Sequence, residues 1–240
     1  MSDPAIEDTT RVVDGVMRSR RSLRAFHPKS VPRELLEALL AVAATAPSNS
    51  NTQPWRVHAL AGASLQTLGD ALVAAFRENR LPPSPHFPEP LPEEHAQRQR
   101  EFGATYYRTL GLDITDMPGR MRQTERNFHF FGAPVGLIFT IDKRLAPHSW
   151  LDLGLLVQNV MIAASARGLG SCPQVSFARF HPVIAQHLTL GEHEVTVCGM
   201  SLGYPEPDAP INRMSMPRRD VREFVSFESF DMPPLAQAQR

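Results

Sequence analysis

The chain has 240 residues, 25 of them basic and 25 acidic, so it carries no formal net charge at pH 7. That balance excludes recruitment by global charge to nucleic acid or to an anionic membrane, and the length allows a full core within one domain, residues 1–240. The two cysteines, Cys172 and Cys198, fit neither a disulfide framework nor a zinc spacing, and are expected as reduced core residues of a cytoplasmic protein. The first ten residues lack the basic-then-apolar order of a secretion signal. The longest apolar stretch, 151–166, is broken by Asp152, Gln158 and Asn159 and is too short to span a bilayer, so a soluble protein is expected.

In chain order, residues 8–17 predict a short helix that Thr9 or Thr10 can cap. Residues 18–24, Arg-Ser-Arg-Arg-Ser-Leu-Arg, then place four arginines beside two hydroxyls. Read alone, the run fits a solvated face and a phosphate site equally, because guanidinium forks and hydroxyls give bidentate, charge-assisted bonds. It lacks the interleaved aromatics of a nucleic-acid platform. After a turn with Pro28 and Pro32, residues 31–46 predict a helix from a proline in the first turn and leucines three and four apart.

Residues 46–55, Ala-Pro-Ser-Asn-Ser-Asn-Thr-Gln-Pro-Trp, follow. Two prolines bracket six polar residues. A solvated helix-to-strand loop would have this polarity. Two asparagines, a glutamine and an anchoring tryptophan also suit the edge of a heterocycle, since amides donate and accept without charge.

A strand over 56–60 and an amphipathic helix over 64–79 come next. Residues 80–93 hold six prolines, which exclude helix and central strand and open an irregular excursion from about 80 to 130. Within it, helices are expected over 94–110, with Phe102, Tyr106 and Tyr107, and over 117–126. Residues 134–142 read as a central strand. Ser149 is the expected cap of a buried helix over 150–167, which Gly168 and Gly170 end. Residues 172–177 read as a short connection, with a helix near 182–188 and a strand over 194–205. Residues 206–240 form an extended, Pro-rich tail with a second arginine cluster.

Familiar reactive motifs are absent. Gly168-Leu169-Gly170 ends a helix instead of following a strand, so it is no dinucleotide fingerprint. There is no Walker-type loop, no histidine pair at metal-ligand spacing and no nucleophile elbow. The reactive group is therefore expected to be borrowed.

The arginine-rich Arg20-Arg21-Ser22-Leu23-Arg24, followed at the right distance by Pro47-Ser48-Asn49-Ser50-Asn51-Thr52-Gln53-Pro54-Trp55, closely resembles the FMN-dependent nitroreductase family. The strand ending Leu202-Gly203-Tyr204-Pro205 and the tail Arg218-Arg219 extend the resemblance over nearly the whole chain. Residues 127–142 and 149–159 look like its nitrobenzoate-reducing branch.

The resemblance implies an α+β fold, with a mostly antiparallel central sheet wrapped by helices, in an intertwined homodimer with FMN at the subunit interface. It implies that Arg20, Arg21, Ser22 and Arg24, with Arg218 or Arg219, meet the FMN phosphate. Pro47, Ser48, Asn49, Asn51 and Gln53 would approach the flavin from the other subunit, and Pro173, Gln174, Val175 and Ser176 would bring backbone N–H groups near flavin N5. The implied activity is ping-pong transfer from NADH or NADPH to a small aromatic acceptor, a nitro group passing through nitroso to hydroxylamine, without metal, nucleic acid or membrane. No residue is expected as acid, base or nucleophile, because the flavin carries the chemistry. Phe128, Phe130 and Phe131, with Tyr106 and Tyr107, are candidates for an aromatic wall, with the core as the alternative for most of them, and Arg120, Arg122 or Arg126 for a substrate carboxylate. Quinone or enone reduction, dehalogenation and flavin binding without turnover are the alternatives.

Overall fold

The computed structural model describes residues 4–78, 90–113 and 115–228. Its elements are α1 (Pro4–Ser19), α2 (Arg33–Ala43), β1 (Trp55–Ala61), α3 (Gly62–Arg77), α4 (Glu93–Thr109), α5 (Met117–Phe128), β2 (Val135–Asp142), α6 (His148–Ser165), β3 (Gly170–Gln174), α7 (His181–Leu188), β4 (Glu194–Gly203) and α8 (Pro210–Arg213). The four strands form one sheet in the order β1-β2-β4-β3, antiparallel throughout. The expected α+β architecture is thus present. The start of the excursion, up to residue 89, lies outside the described residues, and 93–109 and 117–128 are regular helices.

Helices cover both faces of the sheet, which is why β2 reads as a continuous apolar run. Leu137, Phe139 and Ile141 join a core with Leu39 of α2 and Leu153, Leu156 and Val160 of α6. Ile138 joins a second core with Leu68 and Leu72 of α3, Phe177, Phe180 and Ile184 of α7. Phe128 and Phe130 lie in that second core, and Phe131 is also buried. All three are packing residues, which corrects the aromatic-wall expectation for them.

Three further expectations change. Ser149 lies buried inside α6 and does not cap it; Pro147 precedes the helix, which has no side-chain cap. Gly168, with φ of 70°, does end the helical segment, but Gly170 opens β3. The supposed connection at 172–177 is the end of β3 followed by a 3-10 turn, Val175–Phe180. Proline is tolerated there because β3 is an edge strand. The tail also contains α8 and a 3-10 turn at Val221–Glu223.

Candidate active site

The outer edge of β3 is not bare. Ser22 bridges Ser171 in parallel, and the Leu23 N–H donates to the Ser171 carbonyl at 3.0 Å. A Cβ on Gly170 would lie 2.7 Å from Leu23 Cδ1, so a larger residue there would make the Leu23 side chain shift. The next residues are tied to the tail by Asn212, whose Oδ1 accepts from the N–H groups of Arg24 (2.8 Å) and Ala25 (3.2 Å). Its Nδ2 donates to the carbonyls of Ala25 (2.7 Å) and Glu206 (2.9 Å). Sequence reading missed Asn212, because no local signal marks a residue whose partners lie 187 and 188 positions away.

These ties bring both arginine clusters to one cleft of about 900 Å³, lined by Arg20, Arg21, Ser22, Arg24, Arg218 and Arg219 among others. The arginines are not equivalent. Burial, and then the nearby Arg218 guanidinium, push the Arg20 pKa below its ordinary value. Arg20 makes no ion pair among the described residues. Arg218 donates only to the carbonyls of Met216 (3.1 Å) and Pro217 (3.3 Å). Two like charges thus act on one another in a cleft that also holds Glu94, Glu101 and Glu223, and among the described residues neither guanidinium has an ion pair, which costs energy until an anion enters. The donor set fits a phosphate dianion.

Arg24 and Arg219 have other commitments. Arg24 lies over the rings of Phe102 and Tyr106, 5.5 and 5.2 Å from their centroids, and donates to the Ser22 carbonyl at 3.2 Å. Burial raises the Tyr106 pKa, and its hydroxyl accepts from Gln123 at 2.7 Å. Arg219 sits 3.3 Å from a Glu94 carboxylate oxygen and over the Phe224 ring.

At the far end of β3, Pro173 and Gln174 finish the strand, Val175 is half-exposed, and Ser176 accepts from Asn127 Nδ2 at 2.8 Å. The amide loop is elsewhere. Asn49–Asn51 forms a 3-10 turn, and Ser50, Asn51 and Gln53 have φ of 50°, 56° and 45°. Side chains other than glycine are rare at such angles, and clusters of them mark functional loops. The Gln53 N–H donates to Ser48 Oγ at 3.0 Å, and its Nε2 to Asn51 Oδ1 at 3.1 Å. The Asn49 N–H donates to Asp152 near the start of α6, whereas the arginine cleft adjoins its end, where the hydroxyls of Ser19 and Ser165 are 3.3 Å apart. At 1.5 Å per residue, Asp152 and Ser165 are separated by about 20 Å along the helix axis. One chain does not bring Pro47–Gln53 to the arginine cleft.

Residues 17–204 match the profile of the Nitroreductase family. The chain belongs to the nitroreductase family. It is 45% identical over 218 residues to a 4-nitrobenzoate reductase of Pseudomonas putida, covering 91% of this chain and 96% of the relative. It is 41% identical over 222 residues to a chloronitrobenzene nitroreductase of Comamonas testosteroni, covering 91% and 98%. The crystal structure of the FMN-dependent nitroreductase NfnB from Mycobacterium smegmatis in complex with NADPH superposes with a TM-score of 0.86 at 30% identity, covering 92% of this chain and 99% of that one.

The rest of this nitroreductase chain holds no competing centre. Among the described residues, no cluster of His, Cys, Asp and Glu could hold a metal, and no helix is long and apolar enough to cross a membrane. Both cysteines are buried and free; burial raises the Cys172 thiol and pushes that of Cys198 up to about 12, so neither is a ready nucleophile. The buried Glu194 carboxylate meets His58 at 2.6 Å and the Thr140 hydroxyl, across the strands of the sheet. Of the carboxylate candidates, Arg120 lies 4.4 Å over the Tyr107 ring, while Arg122 and Arg126 are exposed.

Proposed function

We propose that this chain is an FMN-dependent NAD(P)H:nitroaromatic oxidoreductase, a single FMN-binding domain acting as a homodimer in the cytoplasm. The observation that carries the reading is the pair of unneutralised guanidiniums, Arg20 and Arg218, beside Ser22 in a chain whose relatives are named as nitrobenzoate and nitrobenzene reductases. Arg20, Arg218, Ser22 and the exposed Arg21 bind the FMN phosphate. Arg24 and Arg219 support them, the first by holding the clamp to α4 and the second by pairing with Glu94.

The homodimer reading rests on surfaces that one chain leaves uncovered. Leu151 of α6 is 67% exposed, and Leu155 and Val42 are also exposed. α1 has an apolar stripe, including Ile6, Val13 and Met17, with none of its residues buried. A second copy seated there brings Pro47, Ser48, Asn49, Asn51 and Gln53 to the flavin, which the separation along α6 denies to the same chain. Pro173, Gln174, Val175 and Ser176 contribute backbone to the ring system.

When bound, FMN supplies two-electron hydride transfer from NAD(P)H to the acceptor, and a nitro group reaches the hydroxylamine in two such rounds. The protein's residues bind, orient and exclude water, which accounts for a site of amides and arginines without acid, base or nucleophile. NADPH is the proposed donor, by likeness to the NfnB complex. A nitrobenzoate is the proposed acceptor, by likeness to the Pseudomonas putida enzyme. The test is purification of a yellow protein, anaerobic reduction by NADH and NADPH, and kcat/KM for 4-nitrobenzoate, nitrobenzene and a quinone. A quinone preferred by two orders of magnitude, about 2.7 kcal/mol in transition-state binding, would overturn the acceptor. A flavin that neither donor bleaches would leave a binding module.

A further inference from the structure

The end of β3 is held by a closed set of side-chain hydrogen bonds that the proposed reaction has not yet used. Gln174 and Ser201 are almost fully buried. The Ser201 hydroxyl donates to Gln174 Oε1 at 2.8 Å. Gln174 Nε2 donates to Asn127 twice, to its carbonyl at 2.6 Å and to Oδ1 at 3.2 Å. Asn127 Nδ2 donates in turn to Ser176 Oγ at 2.8 Å. The amide orientations fix one another: turning the Gln174 amide would set its oxygen against two oxygens of Asn127.

Partly buried polar groups of this kind are stable only when satisfied, and here each amide has its partners. The effect is local and directional. Residues 174 and 176 are tied inward, one to β4 and both to the last turn of α5, while Val175 between them is 49% exposed. Phe177 then packs under the sheet, where a Cβ on Gly199, the strand partner of Gln174, would come within 2.9 Å of its ring. A three-residue backbone segment is thus pinned at both ends with its middle turned outward.

We propose that Gln174 and Asn127 are positioning residues for flavin reduction: their amides lock the backbone of 174–176 to α5 and β4, and so set how that backbone meets the bound cofactor. The inference rests on the FMN reading above. It assigns a role to two residues whose side chains bond to one another and to Ser176 and Ser201.

Gln174→Met keeps the volume and removes the network; Gln174→Glu keeps the acceptor for Ser201 but sets a carboxylate against the two Asn127 oxygens. Once protonated, that carboxyl donates one of the lost bonds. Holoenzyme variants are compared with the wild type by stopped-flow reduction with saturating NADPH between pH 5 and 8, with FMN affinity and the visible flavin spectrum as independent readouts. Gln174→Met is expected to keep FMN affinity within about threefold, shift the flavin band and slow reduction about tenfold or more, the scale of one or two lost hydrogen bonds. The ratio of its rate to the wild-type rate stays flat with pH, whereas Gln174→Glu recovers as pH falls. Ser176→Ala, which removes one contact, slows reduction less, and adding Asn127→Ala to it costs less than the separate effects combined.

An FMN-loaded Gln174→Met with a wild-type spectrum and rate would overturn the inference, as would a Gln174→Glu deficit that does not change with pH. Should Gln174→Met fail to fold, an unaltered rate and spectrum in Ser176→Ala overturns it instead. A wild-type protein that binds no FMN removes the underlying reading as well. A wild type that is loaded and reduced, beside variants that match it, removes the inference alone.

Discussion

Substituting Arg218 and Arg219 separately distinguishes two neighbours that sequence alone leaves equivalent. Arg218 lowers the Arg20 pKa and, among the described residues, has only its own local carbonyls as partners, so its guanidinium is free for an anion. Arg219 is spent on Glu94, in a pair whose side chains are 40% and 64% exposed. A hydrogen bond to a charged group is worth about 1.5–3 kcal/mol, so Arg218→Ala should weaken FMN about one to two orders of magnitude. The exposed pair is screened by water and worth little, which limits Arg219→Ala to roughly a fivefold effect. In the apoprotein, Arg218→Ala removes repulsion instead of attraction, so its melting temperature should hold or rise slightly. The assay is quenching of flavin fluorescence on titration of apoprotein, with FMN and with riboflavin, which lacks the phosphate. Riboflavin binding should be indifferent to Arg218. A larger loss in Arg219→Ala, or equal losses for the two flavins in Arg218→Ala, would refute the assignment.

Three other perturbations follow from the same geometry. Gly170→Ala should shift the Leu23 side chain and leave the backbone pairing of 22–23 with Ser171 in place, so FMN affinity should change by less than about threefold; a loss of an order of magnitude in a folded variant would contradict this. Leu155→Asp should convert the dimer to monomer by light scattering and release FMN together, and a monomer that retains FMN tightly would remove the shared site. For Glu194, burial raises the pKa, but hydrogen bonds from Thr140 and His58 outweigh it and leave the carboxyl below its ordinary value. Its contribution to stability is therefore present above the unfolded carboxylate range, about pH 4.3, and lost as pH falls through the folded pKa. Glu194→Gln should lower the melting temperature at pH 7 and show a smaller further drop in acid, which thermal melts from pH 3 to 7 would check.

Much of the fold is written locally. Pro32 just before α2 and the leucine spacing after it, or the uninterrupted apolar run of β2, predict their elements because each depends on neighbours a few residues away. β3 is hidden for the opposite reason. Gly170 and Pro173 argue against a strand by propensity, yet an edge position tolerates the proline and the glycine leaves room for the Leu23 side chain. The phenylalanines at 128, 130 and 131 mislead because aromatic residues serve cores and pockets alike, and only the second core separates the two roles. Two arginine clusters nearly 200 residues apart can be suspected of sharing an anion from composition. That Asn212 joins them, and that Arg218 and not Arg219 confronts Arg20, are facts of tertiary contact with no sequence signal.

The geometry of α6 links these pieces to assembly. Its buried stripe packs on the sheet, while Leu151 and Leu155 face out between the loop at one end and the arginine cleft at the other. A two-fold interface is isologous: whatever one copy offers at the first end of its helix, the other offers in the reverse sense. Two copies laid antiparallel along α6 would cover those leucines and set the strained Ser50–Gln53 backbone of each against the cleft of its partner. The positive φ angles, held by hydrogen bonds within the turn at a cost of about 1–3 kcal/mol each, would then acquire a purpose. In that arrangement neither copy would carry a complete site, and dimerisation and cofactor binding would be one equilibrium: the free energy of FMN binding would be partly that of the interface, and protein concentration would enter the apparent affinity for FMN.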